Sequence, residues 1–339
     1  MATKLTRREL LRTTLAGAAL AALHGCEDTV SISQSSSSTT GGGGMSGRAK
    51  PFRFLHMTDI HVQRERDGDK GFAAALRAAE ALRPRPDFIL TGGDLVFDVL
   101  EVGAERSRML FELYKKIIAD NTTLPVYNTL GNHDVFGWHE KSGATPDMVG
   151  YGKAMAMEYL NWTQTYHRFD HKGWRFFCLD NIQPGDRTSR YPYQGFIDSP
   201  QMEWLKAELA ATDPKMPIVF CEHIPMVTVT NYDDAALVKE REWRISNAFV
   251  CQDAPQRLEL YKGKNVRLCL SGHIHQRDRI EFEGPTFIND GAVCGGWWKG
   301  PNHGTQEGFG VIDCMANGSF VHQYFDYGWQ PTAEAAGKV

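Results

Sequence analysis

The chain has 339 residues, of which 42% are hydrophobic and 23% are charged, and its net charge is −4. These values are typical of a globular protein. The slightly acidic balance, with no cluster of lysine and arginine beyond residue 50, argues against a nucleic-acid-binding surface. None of the seven cysteines forms a C-x-x-C pair. Several of them lie in apolar runs, as Cys178 does, and are expected to be small buried side chains.

Residues 1–26 have the pattern of an export signal. A basic start precedes an apolar run at residues 13–23, which is too short to span a bilayer because a spanning helix needs about 20 residues. Thr6–Leu11 (TRRELL) resembles a twin-arginine signal. The resemblance predicts the twin-arginine export machinery as a partner and a location in the periplasm or on the outer face of the envelope.

The end of this signal offers a possible lipid anchor. Residues 23–26 (LHGC) resemble a lipobox, in which Cys26 would be lipidated. Cleavage near Cys26 without lipidation and an uncleaved anchor are the alternatives.

Residues 27–50 are rich in Ser and Gly and predict a disordered linker, because they cannot bury enough apolar area to become ordered. The linker either tethers the domain to the envelope or merely separates it from the signal. We assign residues 51–328 to one domain and residues 329–339 to a C-terminal tail.

The first half of the domain alternates strands and helices. Predicted strands at 52–57, 87–91 and 124–130 are separated by predicted helices at 71–82 and about 104–119, from the period of their apolar residues. The order β-α-β-α-β indicates parallel strands joined by right-handed crossovers.

The second half is richer in strands. One helix is predicted at 199–211, with Ser199 as N-cap and Pro200 at its first position. The polar stretch 228–262 reads as an insertion over one edge of the domain, with a short helix near 256–261. Period-2 patterns predict strands at 166–169, 175–179, 218–221, 266–270, 279–282, 286–288, 310–313 and 320–325.

Polar side chains of the types that bind metals follow five predicted strands. The carboxyl ends of parallel strands share one edge of a sheet, so these groups can converge. Five such turns are hard to explain as unrelated polar loops. The residues are Asp59, His61, Asp94, Asn132, His133, Asp134, His223, His273 and His275.

These side chains offer oxygen and imidazole nitrogen but no sulfur, which favours first-row ions such as Mn, Fe or Zn. They are too many for one four-coordinate ion, so we infer two divalent ions. A carboxylate such as Asp94 can bridge a pair of ions that lie about 3.5–4 Å apart.

The order of these motifs resembles that of the calcineurin-like metallophosphoesterases. The motifs are Asp59-x-His61, Gly93-Asp94, Gly131-Asn132-His133-Asp134, His223 and Gly272-His273-x-His275. They are similar to the branch that holds bacterial cyclic-nucleotide phosphodiesterases. The resemblance implies a four-layer α/β/β/α sandwich.

The resemblance also implies a role for each residue. Asp59, His61 and His275 would hold one metal, Asn132, His223 and His273 would hold the other, and Asp94 would bridge them. His133 would face the phosphate and protonate the leaving oxygen or stabilise charge. Asp134 would orient the His133 imidazole. A metal-bridging hydroxide would attack phosphorus in line.

Two positions near Asp94 depart from related patterns. Phe97 occupies the position of the tyrosine ligand of purple acid phosphatases, which excludes that variety. Asp98 lies one residue beyond the place where a second aspartate of this block often falls. We expect Asp98 to cap the next helix.

Substrate-binding candidates are Trp297, Trp298 and His139. The two tryptophans follow Gly295-Gly296 and could stack on a base or sugar, or could pack against the edge of a sheet. The sequence therefore predicts an exported dinuclear phosphoesterase acting on a small phosphoester, with phosphodiester hydrolysis as the first choice. A phosphomonoesterase acting on a nucleotide, sugar phosphate or phosphoprotein is the alternative, and a non-catalytic metal-binding scaffold is a third reading.

Overall fold

The computed structural model describes residues 50–230 and 245–337. The predicted export signal, the Cys26 anchor and nearly all of the predicted linker lie outside the described residues, as do residues 231–244 of the predicted insertion. No helix within the described residues is long and apolar enough to cross a membrane.

Strands and helices alternate along the first part of the domain and mix along the second. The helices are α1 (Gly68–Ala81), α2 (Ala104–Asn121), α3 (Ala154–Leu160), α4 (Ser199–Ala211) and α5 (Ala254–Tyr261). The strands are β1 (Phe52–Met57), β2 (Phe88–Thr91), β3 (Val126–Tyr127), β4 (His167–His171), β5 (Trp174–Cys178), β6 (Ile182–Pro184), β7 (Tyr193–Gly195), β8 (Ile218–Cys221), β9 (Val266–Ser271), β10 (Asp278–Glu281), β11 (Thr286–Asn289), β12 (Gly308–Cys314) and β13 (Phe320–Asp326).

Two mixed sheets pack face to face. The first has the order β13-β12-β1-β2-β3, and the second has the order β10-β11-β9-β8-β5-β4. β1, β2 and β3 are parallel, as predicted, and so are β5, β8, β9 and β11 in the second sheet. The α/β/β/α sandwich implied by the sequence is confirmed.

Alternating side chains of the strands build three apolar layers. Phe54, Phe88 and Phe176 meet between the sheets, with ring centroids 5.2–5.4 Å apart. Side chains of opposite parity, such as Leu55 and Phe177, face the helices on the outer sides. The six cysteines of the domain are all buried, as predicted for small apolar residues.

Several local features differ from those predicted from the sequence. β3 has only two residues because side chains take over its hydrogen bonding: Thr129 N donates to Thr91 Oγ1 at 3.1 Å. The N-cap of α4 is Asp198, which accepts from Gln201 N, rather than Ser199. The helix α3 and the short hairpin β6–β7 were not predicted. Trp329, at the start of the predicted tail, packs against Trp298.

Glu80, near the end of α1, holds the segment that follows α2. Its Oε1 accepts hydrogen bonds from Thr123 N at 2.6 Å, Thr122 Oγ1 at 2.9 Å and Thr123 Oγ1 at 3.0 Å. Burial opposes ionisation, but these bonds and that from Arg85 together outweigh it and lower the pKa of Glu80 to about 2. The carboxylate therefore favours the folded state wherever it is ionised.

We predict that Glu80→Gln lowers the free energy of unfolding by about 1 kcal/mol at pH 7, since it weakens several partly exposed hydrogen bonds. The folded pKa lies below the unfolded value of about 4.3. The difference from the wild type should therefore be complete above that pH and should shrink as the pH falls toward 2. Urea unfolding across this range measures it. Glu203→Gln, at an exposed ion pair with Lys206, is the control, and an equal loss there would contradict the prediction.

Candidate active site

The predicted ligands converge on one edge of the two sheets, and a first group lies around His61. Its Nε2 is 3.2 Å from His275 Nε2 and 3.4 Å from Asp94 Oδ2. Asp59 Oδ1 is 3.2 Å from His275 Nε2. Two imidazoles and two carboxylates thus point at one small volume.

A second group lies around His223 and shares Asp94 with the first. His223 Nε2 is 3.1 Å from Asp94 Oδ2, 3.0 Å from Asn132 Oδ1 and 3.1 Å from His273 Nδ1. Asp94 Oδ2 therefore faces both groups. This is the arrangement expected when one carboxylate serves two neighbouring ions.

The other nitrogen of each ligand histidine faces a backbone carbonyl. The pairs are His61 Nδ1 with Phe97 O, His223 Nδ1 with Gly92 O, His273 Nε2 with Ala248 O and His275 Nδ1 with Gly295 O, at 2.6–3.2 Å. Because a carbonyl only accepts, a neutral imidazole turns its lone pair toward the site. Two imidazole nitrogens 3.2 Å apart repel unless a proton or a metal ion lies between them, so the donor set fits two metal ions.

The protonation of these histidines follows from burial and from the carboxylates. Burial lowers the pKa of His61 and His273 to about 3, so both are neutral at pH 7. Burial also disfavours charge on His223, but the Asp94 carboxylate beside it raises its pKa to about 9. Binding of a cation at His223 therefore releases a proton.

Backbone geometry at the ligands is unusual. A positive φ is rare and costly for residues other than glycine. Gly131 and Gly272 allow the turns to approach each other, since a Cβ on Gly131 would lie 2.1 Å from Asp94 N and one on Gly272 would lie 1.8 Å from Thr58 Oγ1. The residues with positive φ include Asp59 (53°), His61 (44°), Asp94 (51°), His273 (71°) and His275 (57°).

His133 lies beside the two groups but is turned away from them. Its ring is 4.9 Å from that of His61 and edge-on to it, and its Nδ1 is 3.3 Å from Asp98 Oδ1. Burial disfavours its charge, yet the carboxylates of Asp94 and Asp98 raise its pKa. The imidazole is therefore suited to carry a proton at its exposed edge.

The prediction that Asp134 orients His133 is wrong. Asp134 Oδ1 accepts from the backbone N of Leu95 and Val96 at 2.8 and 3.1 Å, and Oδ2 accepts from Gly131 N at 2.9 Å. These bonds hold the turn after β2 against the turn after β3. Asp134 therefore positions Asp94 and Asn132 through the backbone.

Asp98, rather than Asp134, contacts the His133 imidazole and can orient it. Its Oδ1 also accepts from Leu100 N and Glu101 N at 3.1 and 3.2 Å. Asp98 thus caps a turn and contacts His133, and the prediction that it caps the next helix is wrong, because the N-cap of α2 is Gly103. The sequence signal for Asp98 was present in its distance from Asp94. Its position one residue beyond the usual place concealed it.

The three predicted substrate-binding residues separate in the structure. Trp297 is half-buried and lies over the site, with its ring centroid 4.0 Å from that of His61 and 5.0 Å from that of His133. Trp298 is fully buried, and its Nε1 donates to His61 O at 2.9 Å. The prediction for Trp298 is therefore wrong, because this side chain packs in the core and anchors the loop.

His139 is also not placed to bind substrate. Its Nδ1 accepts from Lys141 N at 3.1 Å, its Nε2 is 3.6 Å from Glu101 Oε1, and its side chain is buried. This imidazole stabilises its own turn. The prediction that His139 binds substrate rested only on its proximity to His133 along the chain.

Two further aromatic residues, which are not among the predicted substrate-binding residues, lie near the second group. Tyr193, from β7, lies edge-on to His273 with centroids 5.8 Å apart, and Phe249 lies 5.6 Å from the same ring. Phe249 belongs to the stretch that was predicted as an insertion. No local pattern could have brought residues so distant in sequence to one histidine.

Comparison with known proteins agrees with this geometry. The profile of the calcineurin-like phosphoesterase family matches residues 52–277, and the chain belongs to this family. It is a dinuclear metallophosphoesterase, a hydrolase that acts on phosphoester bonds.

Named relatives and one solved structure are also similar. A "Probable cyclic nucleotide phosphodiesterase" of Rhodococcus erythropolis is 24% identical, over 69% of this chain and 69% of its own length. A 3′,5′-cyclic-nucleotide phosphodiesterase of Nostoc sp. is 21% identical, over 72% of this chain and 79% of its own. A dimetal phosphatase of Danio rerio has a TM-score of 0.54 at 15% identity, covers 81% of this chain and 96% of its own, and supports the fold.

We predict that Asp98→Asn lowers kcat by about 10- to 100-fold, because His133 loses the charge that favours its protonated form. Metal content, measured by elemental analysis, should be unchanged, as it should be in His133→Ala.

Asp134→Asn should instead lower the free energy of unfolding by about 2 kcal/mol, since its amide presents a donor to backbone N–H groups. Loss of metal in Asp98→Asn, or equal destabilisation of both variants, would contradict these roles.

Proposed function

We propose that this enzyme is a phosphodiesterase. The observation that carries the proposal is the charge of the site. Two divalent ions, two carboxylates and neutral nitrogen and amide ligands leave room for one further negative group besides an activated water. No lysine or arginine forms an ion pair with Asp59, Asp94 or Asp98 among the described residues. A singly charged diester matches this site better than a doubly charged monoester.

Trp297 supports a diester that carries a base or another ring. Its indole borders both His61 and His133, so a planar group on the leaving side can stack on it. The two relatives named as cyclic-nucleotide phosphodiesterases point to the same class of ester. A cyclic nucleotide is therefore the first substrate to test.

The residues divide the reaction between them. Asp59, His61 and His275 would hold one ion, Asn132, His223 and His273 would hold the other, and Asp94 faces both groups. Bound Mn, Fe or Zn ions supply positive charge and activate a water for attack on phosphorus.

The chain itself moves the proton. His133 Nδ1 faces Asp98, so its Nε2–H is free to protonate the leaving oxygen as the P–O bond breaks. The Asp98 carboxylate stabilises the proton-bearing imidazole until that transfer.

We also propose that the enzyme is exported by the twin-arginine route, on the strength of Thr6–Leu11 and the apolar run after it. It would act in the periplasm or on the envelope, with Cys26 as a possible site of lipid attachment. Replacing Arg7 and Arg8 by lysine should leave the full-length precursor in the cytoplasm, as measured by cell fractionation. Unchanged export would contradict the proposal, and Lys4→Arg serves as the charge-preserving control.

For the reaction, the enzyme should be stripped with a chelator and reloaded with Mn²⁺. Activity should return with uptake of about two ions per chain. Bis(p-nitrophenyl) phosphate and a 3′,5′-cyclic nucleotide should then have a higher kcat/KM than p-nitrophenyl phosphate. A preference for the monoester would establish the phosphomonoesterase alternative. Absence of all activity in the loaded protein would contradict hydrolysis itself.

A further inference from the structure

A second set of aromatic rings, called the second wall here, borders the other group of ligands, at His273. Trp297 borders His61, His133 and His275, whereas Tyr193 and Phe249 border His273. A phosphodiester has two organic substituents that leave phosphorus in different directions. If the leaving group lies beside His133 and Trp297, the other substituent points toward this second wall.

The second wall is extended outward by Tyr191. Its ring is edge-on to Phe249, with centroids 4.8 Å apart, and lies 6.3 Å from that of Tyr193. The strand β7 is tied to the segment that carries Phe249, since Gly195 N donates to Asn247 O at 2.6 Å. The rings therefore come from two segments that are fixed to each other.

A guanidinium ends this wall. Arg190 is exposed, and its Cζ lies 5.1 Å from the centre of the Tyr191 ring, within the range of a cation–π contact. Among the described residues, Arg190 has neither a carboxylate partner nor a hydrogen bond of its own side chain.

Arg187, in the same loop, differs from Arg190 because its guanidinium has hydrogen-bond partners within the protein. Arg187 donates to Gly137 O at 3.1 Å and to Ala144 O at 2.6 Å, and these two hydrogen bonds fix the loop. Arg190 is thus an available cation on a loop that its neighbour fixes. Such a side chain binds an anion with little loss of backbone freedom.

We infer that Arg190 and Tyr191, which lie outward of the buried Tyr193 ring, receive the non-leaving substituent of the diester, and that Arg190 selects one that carries a further anionic group such as a second phosphate. The inference rests on the proposed phosphodiesterase activity and adds acyclic diesters, which carry two separate substituents, to the cyclic nucleotides named above. The Tyr191 ring packs on the sugar or base, and the guanidinium binds the extra anion. Arg190 is then a specificity-determining residue that takes no part in the chemical step.

A matched pair of chromogenic esters tests this. One is the p-nitrophenyl ester of thymidine 5′-phosphate, and the other is the same ester with an added 3′-phosphate. The wild type should prefer the second. Arg190→Ala should lower kcat/KM for the second ester by about five- to tenfold, through KM, and change the first by less than about twofold, because only binding of the added anion is lost. Arg190→Lys should restore most of the difference.

Lys115→Ala is the control for loss of surface charge. Lys115 is also an exposed cation over a tyrosine ring, 5.9 Å from that of Tyr159, but it lies on the outer helix α2. It should leave both esters unchanged. Equal effects of Arg190→Ala on the two esters, or none on either, would overturn the inference.

A binding readout separates failure of this inference from failure of the proposed function. Thymidine 3′,5′-bisphosphate and thymidine 5′-phosphate are compared as inhibitors of p-nitrophenyl phosphate hydrolysis. Stronger inhibition by the bisphosphate that disappears in Arg190→Ala supports the anion site even if the enzyme prefers monoesters. Equal inhibition in the wild type overturns it, whatever the enzyme hydrolyses.

Discussion

The whole site depends on a repulsion that only positive charge can relieve. His61 and His275 bring two imidazole nitrogens within 3.2 Å, and His223 and His273 do the same at 3.1 Å. Carbonyl groups behind each ring fix which nitrogen faces inward. Before any ion binds, the neighbouring carboxylates raise the pKa of His223 and of His275, so a proton can relieve the repulsion in each pair. The packing of the strands that lead to these rings keeps them together for the ions.

That packing explains the positions of the strained residues. Asp59, His61 and Asp94 follow β1 and β2, while His273 and His275 follow β9, and all five adopt positive φ. A turn with this geometry points side chains back over the edge of the sheet instead of out into solvent. The strain is tolerated because buried strands on either side leave the turns no other path.

The fold and the convergence of the candidate metal ligands could be predicted from the sequence because both depend on local patterns. Each ligand follows an apolar strand, and parallel topology alone brings strand ends together. The errors came where a role depends on contacts that sequence order does not reveal. Asp134 is near His133 along the chain, and Asp98 is near it in space. Only the hydrogen bonds show that Asp134 binds backbone N–H groups and that Asp98 faces the imidazole.

The same limit applies to the aromatic residues. Trp297 and Trp298 are neighbours with the same chemistry, but one faces the site and the other fills the space above Gly71. Tyr193 and Phe249 reach His273 from a hairpin and a loop that carry no motif. Such placements follow from the packing of the whole domain, which local periodicity does not describe.

The sharing of ligands between the sheets has one more consequence. Each ion would take one side chain from each sheet: the first would bind His61 after β1 and His275 after β9, and the second would bind Asn132 after β3 and His223 after β8. Bound ions would then cross-link the two sheets at one end of the sandwich. The phenylalanines between the sheets would serve as the spacer that sets the distance between the ligands of the two sheets.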